Sequence, residues 1–592
     1  MKELEYPFDP ALLLSQRKRL RRELTADGKK RIKKKIAILG GSTTNTFVKM
    51  FDLFLLDEGI ECEFLESEYD RWWQDAVFGS EDLNAFAPDI VYIFTSWRNL
   101  ERFFPQTGEK DGAAKHADEC LAYFTKAWDA LRERCHCVII QNNTELPPYR
   151  LLGNRDCWDE NGSTLFIGKM NLLFAQYAQT HGSFYINDLA YQAAAYGLEA
   201  WHDLQAWYMY KLAMKLEAYP SVAANAAHIV KSVFGKNKKA IALDLDNTLW
   251  GGVVGDDGVE GIQIGRETAA SECFEEFQKY LKKLSKTGVM LTVASKNDRQ
   301  NAIDGLNHPE GVLRPDDFIV IKANWDPKDR NIADTAHEMN IGTDAFVFVD
   351  DNPTERALVS RSVNGISVPE LTTPETYIQT IDRSGFFEAT EVTADDAGRN
   401  DMYKANAQRA QRQTEFTDYG EYLISLKMTA EIKPFNIIYI PRITQLTNKS
   451  NQFNLTTRRY TQQEIEQCSA DKDTLTLYGK LTDIFGDNGV VAVVIAKKSG
   501  TNADIELWLM SCRVLKKDME YAMLDTLVAH CIRQNVKTLT GYYCPTAKNA
   551  MVKELYCDFG FTKVSEDASG NTVWRLELDG YTKKNRYITV ED

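Results

Sequence analysis

The stretch IALDLDNTLWGG, residues 241–252, sets two aspartates, Asp244 and Asp246, at the end of an apolar run. A carboxylate buried alone is costly, because a low dielectric disfavours its charge. Two of them one residue apart need something positive between them. A divalent metal together with a phosphate is the usual arrangement. Three later segments supply parts that suit such a site. VASKN (293–297) ends an apolar strand on Ser295, NWDPKDRN (324–331) places Lys328 beside a proline at a helix start, and FVFVDDNPTER (346–356) ends another strand on Asp350 and Asp351. Ligands of open α/β sheets bind at the carboxyl ends of strands, where these groups fall.

The order acid, hydroxyl, lysine, acid resembles the four motifs of the haloacid dehalogenase (HAD) superfamily. The resemblance implies that Asp244 attacks phosphorus to give an aspartyl-phosphate. It implies that Asp246 protonates the leaving group and then takes a proton from water. Ser295 would hydrogen-bond the phosphoryl oxygens, and Lys328 would neutralise the nucleophile and the phosphoryl group. Mg²⁺ would be held by Asp244, Asp350 and Asp351, with the backbone carbonyl of Asp246 as a further ligand. Asn297 and Arg356, inside the same motifs, are expected to contact substrate.

Longer segments narrow the resemblance. LDLDNTLWGGVVGDDGVEGI (243–262), NWDPKDRNI (324–332), FVFVDDNPTER and NKSNQFNLTTRRYT (448–461) together resemble the FkbH-like proteins, HAD subclass IIIC. Members load a glyceryl unit from 1,3-bisphosphoglycerate onto an acyl carrier protein, in making polyketides and related products. The family also occurs in settings of secondary-metabolite and surface-polysaccharide synthesis. The resemblance implies a phosphorylated small molecule or an acyl phosphate as substrate, Mg²⁺ as cofactor and an acyl carrier protein as partner. One position departs from the loading pattern: loaders tend to carry a cysteine between the two aspartates, where this chain has Leu245. Cys512 in WLMSCRVL could instead carry an acyl group, or be a small buried thiol at a strand end. Two readings stay open: a phosphohydrolase or phosphate-releasing acyl transferase, and a catalytically weak scaffold that docks a carrier protein.

Around this core the 592 residues alternate strand and helix patterns in the first two thirds, which predicts two doubly wound α/β units. Residues 1–234 carry the strands KIAILGGST, DIVYIFTSW and CVIIQNN, with CHC (135–137) read into the last of them. The stretch from Trp201 to Gly235 reads as helix. Residues 235–385 hold the HAD-like motifs. Residues 386–592 begin with a polar helical connector (388–416) and continue as an α+β domain with an antiparallel sheet. The strand–helix–strand–helix order of this last part resembles a GNAT acyltransferase fold. Its pyrophosphate turn would start at Arg513, with Lys516 and Asp518 at the glycine-like positions, which disfavours coenzyme A in the usual mode. Arg458 and Arg459 in NQFNLTTRR are candidates for a phosphopantetheine phosphate. The first unit weakly resembles an SGNH-hydrolase sheet, with Ser42 as nucleophile and His202 as base.

A net charge of −15 argues against general nucleic-acid binding, and the basic runs RKRLRR (17–22) and KKRIKKK (29–35) suit solvated helix ends. Eleven cysteines without a CxxC pair suit a reducing compartment. No window reaches 18 apolar residues and no signal-peptide pattern is present, so the expectation is a cytoplasmic protein without a membrane span.

Overall fold

Consecutive apolar residues make strands that are buried on both faces, and the first unit, Met1–Lys236, is built on five of them. The computed structural model describes residues 1–106, 108–546 and 548–591. Strands β1 (Ile32–Gly40), β2 (Ile60–Glu66), β3 (Ile90–Phe94), β4 (Val138–Asn142) and β5 (Phe184–Asn187) lie in the order β2-β1-β3-β4-β5, all parallel. Alternation along β1 serves two cores. Ile36 and Ile38 meet Phe47 and Phe51 on one face, and Ala37 and Leu39 share the other with Trp72 and Trp128. The run RKRLRR lies on the helix Pro10–Ala26, where Arg19 pairs with Glu23 and Arg21 with Asp52.

Two local expectations fail here. Cys135 ends the helix Gly112–Cys135, and His136 caps it in the left-handed region at φ +48°, so the strand starts only at Val138. The stretch after Trp201 is not one helix. It breaks at Lys211, φ +56°, and restarts at Tyr219–Val233, where Pro220 lacks the N–H that a continuous helix would need.

The second unit, Asn237–Asp592, contains both remaining sheets. Strands β6 (Ala240–Leu243), β7 (Met290–Ser295), β8 (Phe318–Ala323) and β9 (Phe346–Val349) are all parallel, in the order β8-β7-β6-β9. Ile241 and Leu243 pack with Phe277 of the helix Ala269–Ser285. Ala240 and Ala242 face the other way, towards Ile332 of α1 (Lys328–Glu338) and Tyr403 of α2 (Arg399–Gln413). The connector thus packs as a helix onto the back of this sheet.

After α3 (Tyr419–Ser425) comes the larger sheet: β10 (Met428–Lys433), β11 (Phe453–Asn454), β12 (Thr474–Asp483), β13 (Gly486–Ser499), β14 (Asn502–Met510), β15 (Thr538–Tyr543), β16 (Thr562–Glu566), β17 (Thr572–Glu577) and β18 (Ile588–Glu591). Its order is β16-β17-β15-β14-β13-β12-β10-β18, with β11 on β14. Pairing is antiparallel except β14 with β15 and β10 with β18. Helices α4 (Ile440–Lys449) and α5 (Met519–Arg533) pack on it. This is the α+β arrangement with a largely antiparallel sheet expected of the last third. Among the described residues no helix is long and apolar enough to cross a membrane.

Candidate active site

Beyond Leu243 the chain leaves β6 with one more ladder bond, Asp244 N–H to the Val349 carbonyl at 3.0 Å, and then turns. The turn is fixed locally. The Leu245 carbonyl accepts from the amides of Thr248 and Leu249, Asn247 sits at φ +55°, and its side chain accepts from Gly252 N–H at 2.9 Å. Side chains still alternate: Leu245 is fully buried among Leu243, Leu249 and Trp250, while Asp244 and Asp246 point to the carboxyl end of the sheet, each into its own contacts.

Lys328 opens α1 directly after Pro327 and is 3% exposed. Its ammonium lies 2.8 Å from Asp244 Oδ2 and 2.6 Å from Asp350 Oδ2. Burial opposes its charge, yet the two carboxylates hold its pKa above the ordinary lysine value. Asp350, fully buried, is pushed up to about 6 by burial and by the like charge of Asp244. Asp351 is raised for the same two reasons, and its carboxylate and amide both meet Thr248 Oγ1, at 3.3 and 3.1 Å. Ser295, at the end of β7, is buried and its hydroxyl has no hydrogen-bond partner among the described residues.

Asp246 is held differently. Oδ1 accepts from Trp250 Nε1 at 2.9 Å and from Val254 N–H at 3.0 Å, and Oδ2 accepts from Asn297 Nδ2 at 2.9 Å. Burial raises its pKa against these hydrogen bonds. Thr248 and Trp250 are functional residues outside the four sequence motifs' acids, hydroxyl and lysine. The signal for Trp250 is the run DNTLW itself, since a donor four residues on can return to Asp246 across a tight turn, whereas Thr248 meets Asp351 across 103 residues and has no local signal.

One carboxylate oxygen each from Asp244, Asp350 and Asp351 lies within 4.8 Å of the other two. Three hard anionic donors at that spacing fit a small divalent cation such as Mg²⁺, with room for further ligands. The unpartnered Ser295 hydroxyl marks a place for an acceptor or donor that the protein itself does not supply.

Other expected site residues do different work. Asn297 donates its amide to Asp246 at 2.9 Å and so positions that acid. Arg356 donates to the backbone carbonyls of Asp350 (2.8 Å), Asp351 (2.6 Å) and Leu371 (3.2 Å); its guanidinium braces the acid pair and is not offered to an anion. Arg459 donates to the Thr447 and Asn448 carbonyls and to Asn451, closing its own loop, and Arg458 pairs at the surface with Glu506 at 2.7 Å. Arg459 is thus committed to its own loop, while Arg458 stays at the surface. Cys512 is half-buried, 3.8 Å from the Tyr403 hydroxyl, and its carbonyl accepts from Asn340. Ser42 and His202 are not joined: the serine hydroxyl is buried with no hydrogen-bond partner among the described residues, and His202 Nε2 meets the Leu146 carbonyl at 3.0 Å. At the carboxyl end of the same sheet stands a further acid, Glu145; fully buried, it is pushed up to about 8 by burial against backbone hydrogen bonds from its own amide and that of Trp97.

In the turn after β14, Lys516 and Asp518 adopt φ +64° and +62°, the left-handed region that suits glycine. Groups of the connector occupy the surroundings. Tyr419 of α3 donates to the Lys516 carbonyl at 2.6 Å, and Lys517 shares Asp483 with Arg409 of α2.

The family model described as FkbH, N-terminal domain, matches residues 35–231. Among solved structures the chain is similar to the N-terminal part of the protein BF1531 from Bacteroides fragilis, a crystal structure containing a phosphatase domain complexed with Mg. Identity is 32% and the TM-score 0.59, over 63% of this chain and 99% of that one. It is also similar to the ribosomal-protein-S18-alanine N-acetyltransferase from Escherichia coli, at 14% identity and a TM-score of 0.21, over 27% of this chain and 100% of that one. A PaiA N-acetyltransferase from Thermoplasma acidophilum in complex with coenzyme A is 16% identical with a TM-score of 0.19, over 25% and 99%. The last two likenesses are too slight to bear on activity. No curated protein matches the chain.

Proposed function

Given that the chain belongs to the FkbH-like proteins of the haloacid dehalogenase superfamily, we propose that it is a Mg²⁺-dependent phosphohydrolase. Its substrate would be a phosphorylated small molecule or an acyl phosphate in a biosynthetic pathway. The observation that carries this reading is the buried constellation Asp244–Lys328–Asp350, joined at 2.8 and 2.6 Å, with Asp351 beside it and the unpartnered Ser295 hydroxyl at the next strand end. Asp244 attacks phosphorus, and the bond from phosphorus to the leaving oxygen breaks as the aspartyl-phosphate forms. Asp246, oriented by Trp250, Val254 and Asn297, gives a proton to that oxygen from Oδ2 and later takes one from the water that hydrolyses the acyl phosphate. Ser295 and Lys328 hold the phosphoryl oxygens. Mg²⁺ bound by Asp244, Asp350 and Asp351 would supply charge neutralisation.

Phosphate release from p-nitrophenyl phosphate, measured with Mg²⁺ and with excess chelator, tests the reading. Turnover should vanish with the chelator and return with added Mg²⁺. No release in either condition would leave the scaffold reading standing. The acid group also predicts a pH dependence. Asp350 is protonated below about 6 in the metal-free protein, so protons compete with the ion there. The rise in melting temperature caused by a fixed Mg²⁺ concentration should therefore be small at pH 5 and grow as pH passes 6. An equal rise at both values would contradict this assignment of the ligands.

Carrier-dependent acyl transfer is the finer proposal. A pantetheine thiol attacking the acyl carbon of an acyl phosphate gives a thioester and inorganic phosphate. Leu245 is fully buried in the core and offers no acyl acceptor. We expect no acyl adduct at residue 245 after incubation with a glyceryl acyl phosphate and digestion. A mass addition on Cys512 would overturn direct transfer in favour of self-acylation.

A further inference from the structure

The strand order β8-β7-β6-β9 sets different loops on the two sides of Asp244. Asp350 and Asp351, the metal acids, follow β9 on one side. On the other side the chain leaves β7 at Ser295 and β8 at Ala323. Asn297, two residues past Ser295, holds Asp246 Oδ2, the oxygen assigned to the leaving group. The Ser295 carbonyl accepts from the Asn324 amide at 3.2 Å, and Lys328, four residues further on, reaches Asp244 at 2.8 Å. Residues 325–327 are therefore tethered to the site at both ends, on the side where the leaving group departs. Neighbouring strands lie about 4.8 Å apart, so the end of β8 stands about 10 Å from that of β6.

This segment is braced. Asn324 and Asn331, the latter buried on α1, exchange side-chain hydrogen bonds at 3.2 and 2.8 Å. Asn324 Oδ1 also accepts from Asp326 N–H at 3.1 Å, and Pro327 fixes the entry to α1 at φ −56°. On this support stands Trp325, 76% exposed. Its indole has no hydrogen bond, ring contact or cation contact among the described residues. Trp158, the other exposed tryptophan, carries Arg155 at 5.0 Å from its ring. A single exposed apolar residue is ordinary on a protein surface. A bare indole on a fixed loop, tethered to a reaction site at both ends, is covered when substrate enters. The reacting groups lie deeper: Ser295, Lys328 and Asp350 are 3% exposed or less, so they take the phosphoryl group and leave the rest of the substrate at the rim. Two exposed carboxylates belong to that rim, Asp326 next to Trp325 and Asp298 next to Asn297. An aromatic face accompanied by carboxylate acceptors suits a sugar, with C–H bonds on the ring face and hydroxyls donating to the acids.

We propose that Trp325 determines the specificity of this site, and that the substrate is the phosphate monoester of a sugar whose ring lies on the indole while its phosphoryl group reaches Asp244. The inference rests on the phosphohydrolase reading and adds to it the class of the leaving group. Contact energy with a part of the substrate that does not react selects among esters carrying the same phosphoryl group.

The test is kcat/KM of the full chain with Mg²⁺ on three kinds of ester. Glucose, mannose and galactose 6-phosphates offer a sugar ring, glycerol 3-phosphate offers hydroxyls without a ring, and p-nitrophenyl phosphate offers an aryl ring. Wild type should prefer a hexose phosphate to glycerol 3-phosphate. In Trp325→Ala that preference should fall about tenfold, mainly through KM, and Trp325→Phe should recover most of it. The rise in melting temperature caused by Mg²⁺ should match wild type in both variants, because no metal ligand is touched. Loss of that rise together with activity would make Trp325 a structural residue and overturn the assignment. The assignment also falls if wild type does not prefer any hexose phosphate, if the preference survives in Trp325→Ala, or if the loss is confined to p-nitrophenyl phosphate. Release from glycerol 3-phosphate or p-nitrophenyl phosphate alone would sink this inference and leave the phosphohydrolase reading standing; no release from any ester would sink both.

Discussion

Asp244→Asn is expected to lower phosphate release by at least about three powers of ten, roughly 4 kcal/mol of barrier, while leaving the fold intact. The amide keeps the shape of the side chain but cannot attack phosphorus. Stability should change little, because two effects oppose each other. The variant loses the 2.8 Å ion pair to Lys328. It also removes the like charge that raises Asp246, Asp350 and Asp351. Lys328 keeps Asp350 at 2.6 Å, so it is not left buried and unpaired. In metal-free protein the unfolding midpoint should stay near that of wild type, and the shift caused by Mg²⁺ should shrink, since one of three acid ligands is gone. Near-normal turnover in this variant would end the covalent mechanism.

Much of this site was legible because its chemistry is written as strand ends. Asp244, Ser295 and Asp350 each follow a short apolar run, and parallel sheets bring such ends together. Leu245 could be placed from alternation alone, and it is buried as that alternation requires. What the sequence withheld was which partner each polar side chain takes. Asn297 and Arg356 stand inside the right motifs, yet one holds Asp246 and the other holds the Asp350 and Asp351 carbonyls. Sequence spacing tells that a donor is near a site, not which acceptor it finds first. The same limit applied to Arg459, whose loop folds back so that its own carbonyls take the guanidinium. His136 shows another limit: a β-like run CHCVII hides a left-handed helix cap, because one φ value is not encoded by hydrophobic pattern.

Lys328→Met is expected to be among the most destabilising single changes in the second unit when no metal is bound. The ammonium lies between two carboxylates that are 7% and 0% exposed, with Asp351 next to them. Removing it leaves like charges without a counter-ion, at a cost of about 3–5 kcal/mol. The cost should depend on pH, with a definite sign. Asp350 already has a folded-state pKa of about 6, above that of a free carboxylate, because burial and Asp244 disfavour its charge. Loss of the lysine raises it further. A carboxylate with a raised folded pKa is best tolerated while protonated, and stability falls as pH rises from the unfolded value through the folded one. The variant should therefore lie close to wild type near pH 5 and fall away from it towards pH 8. A saturating Mg²⁺ concentration should recover much of the difference at pH 8, because the ion replaces the missing positive charge. Turnover should not recover with it, because Lys328 is also needed to neutralise the phosphoryl group. The measurement is denaturant unfolding, followed through the transition that Mg²⁺ shifts, in chelator and in excess Mg²⁺ at both pH values. If the variant matched wild type in chelator at pH 8, Lys328 would not be the counter-charge that holds these acids together, and the metal would have no vacancy of charge to fill.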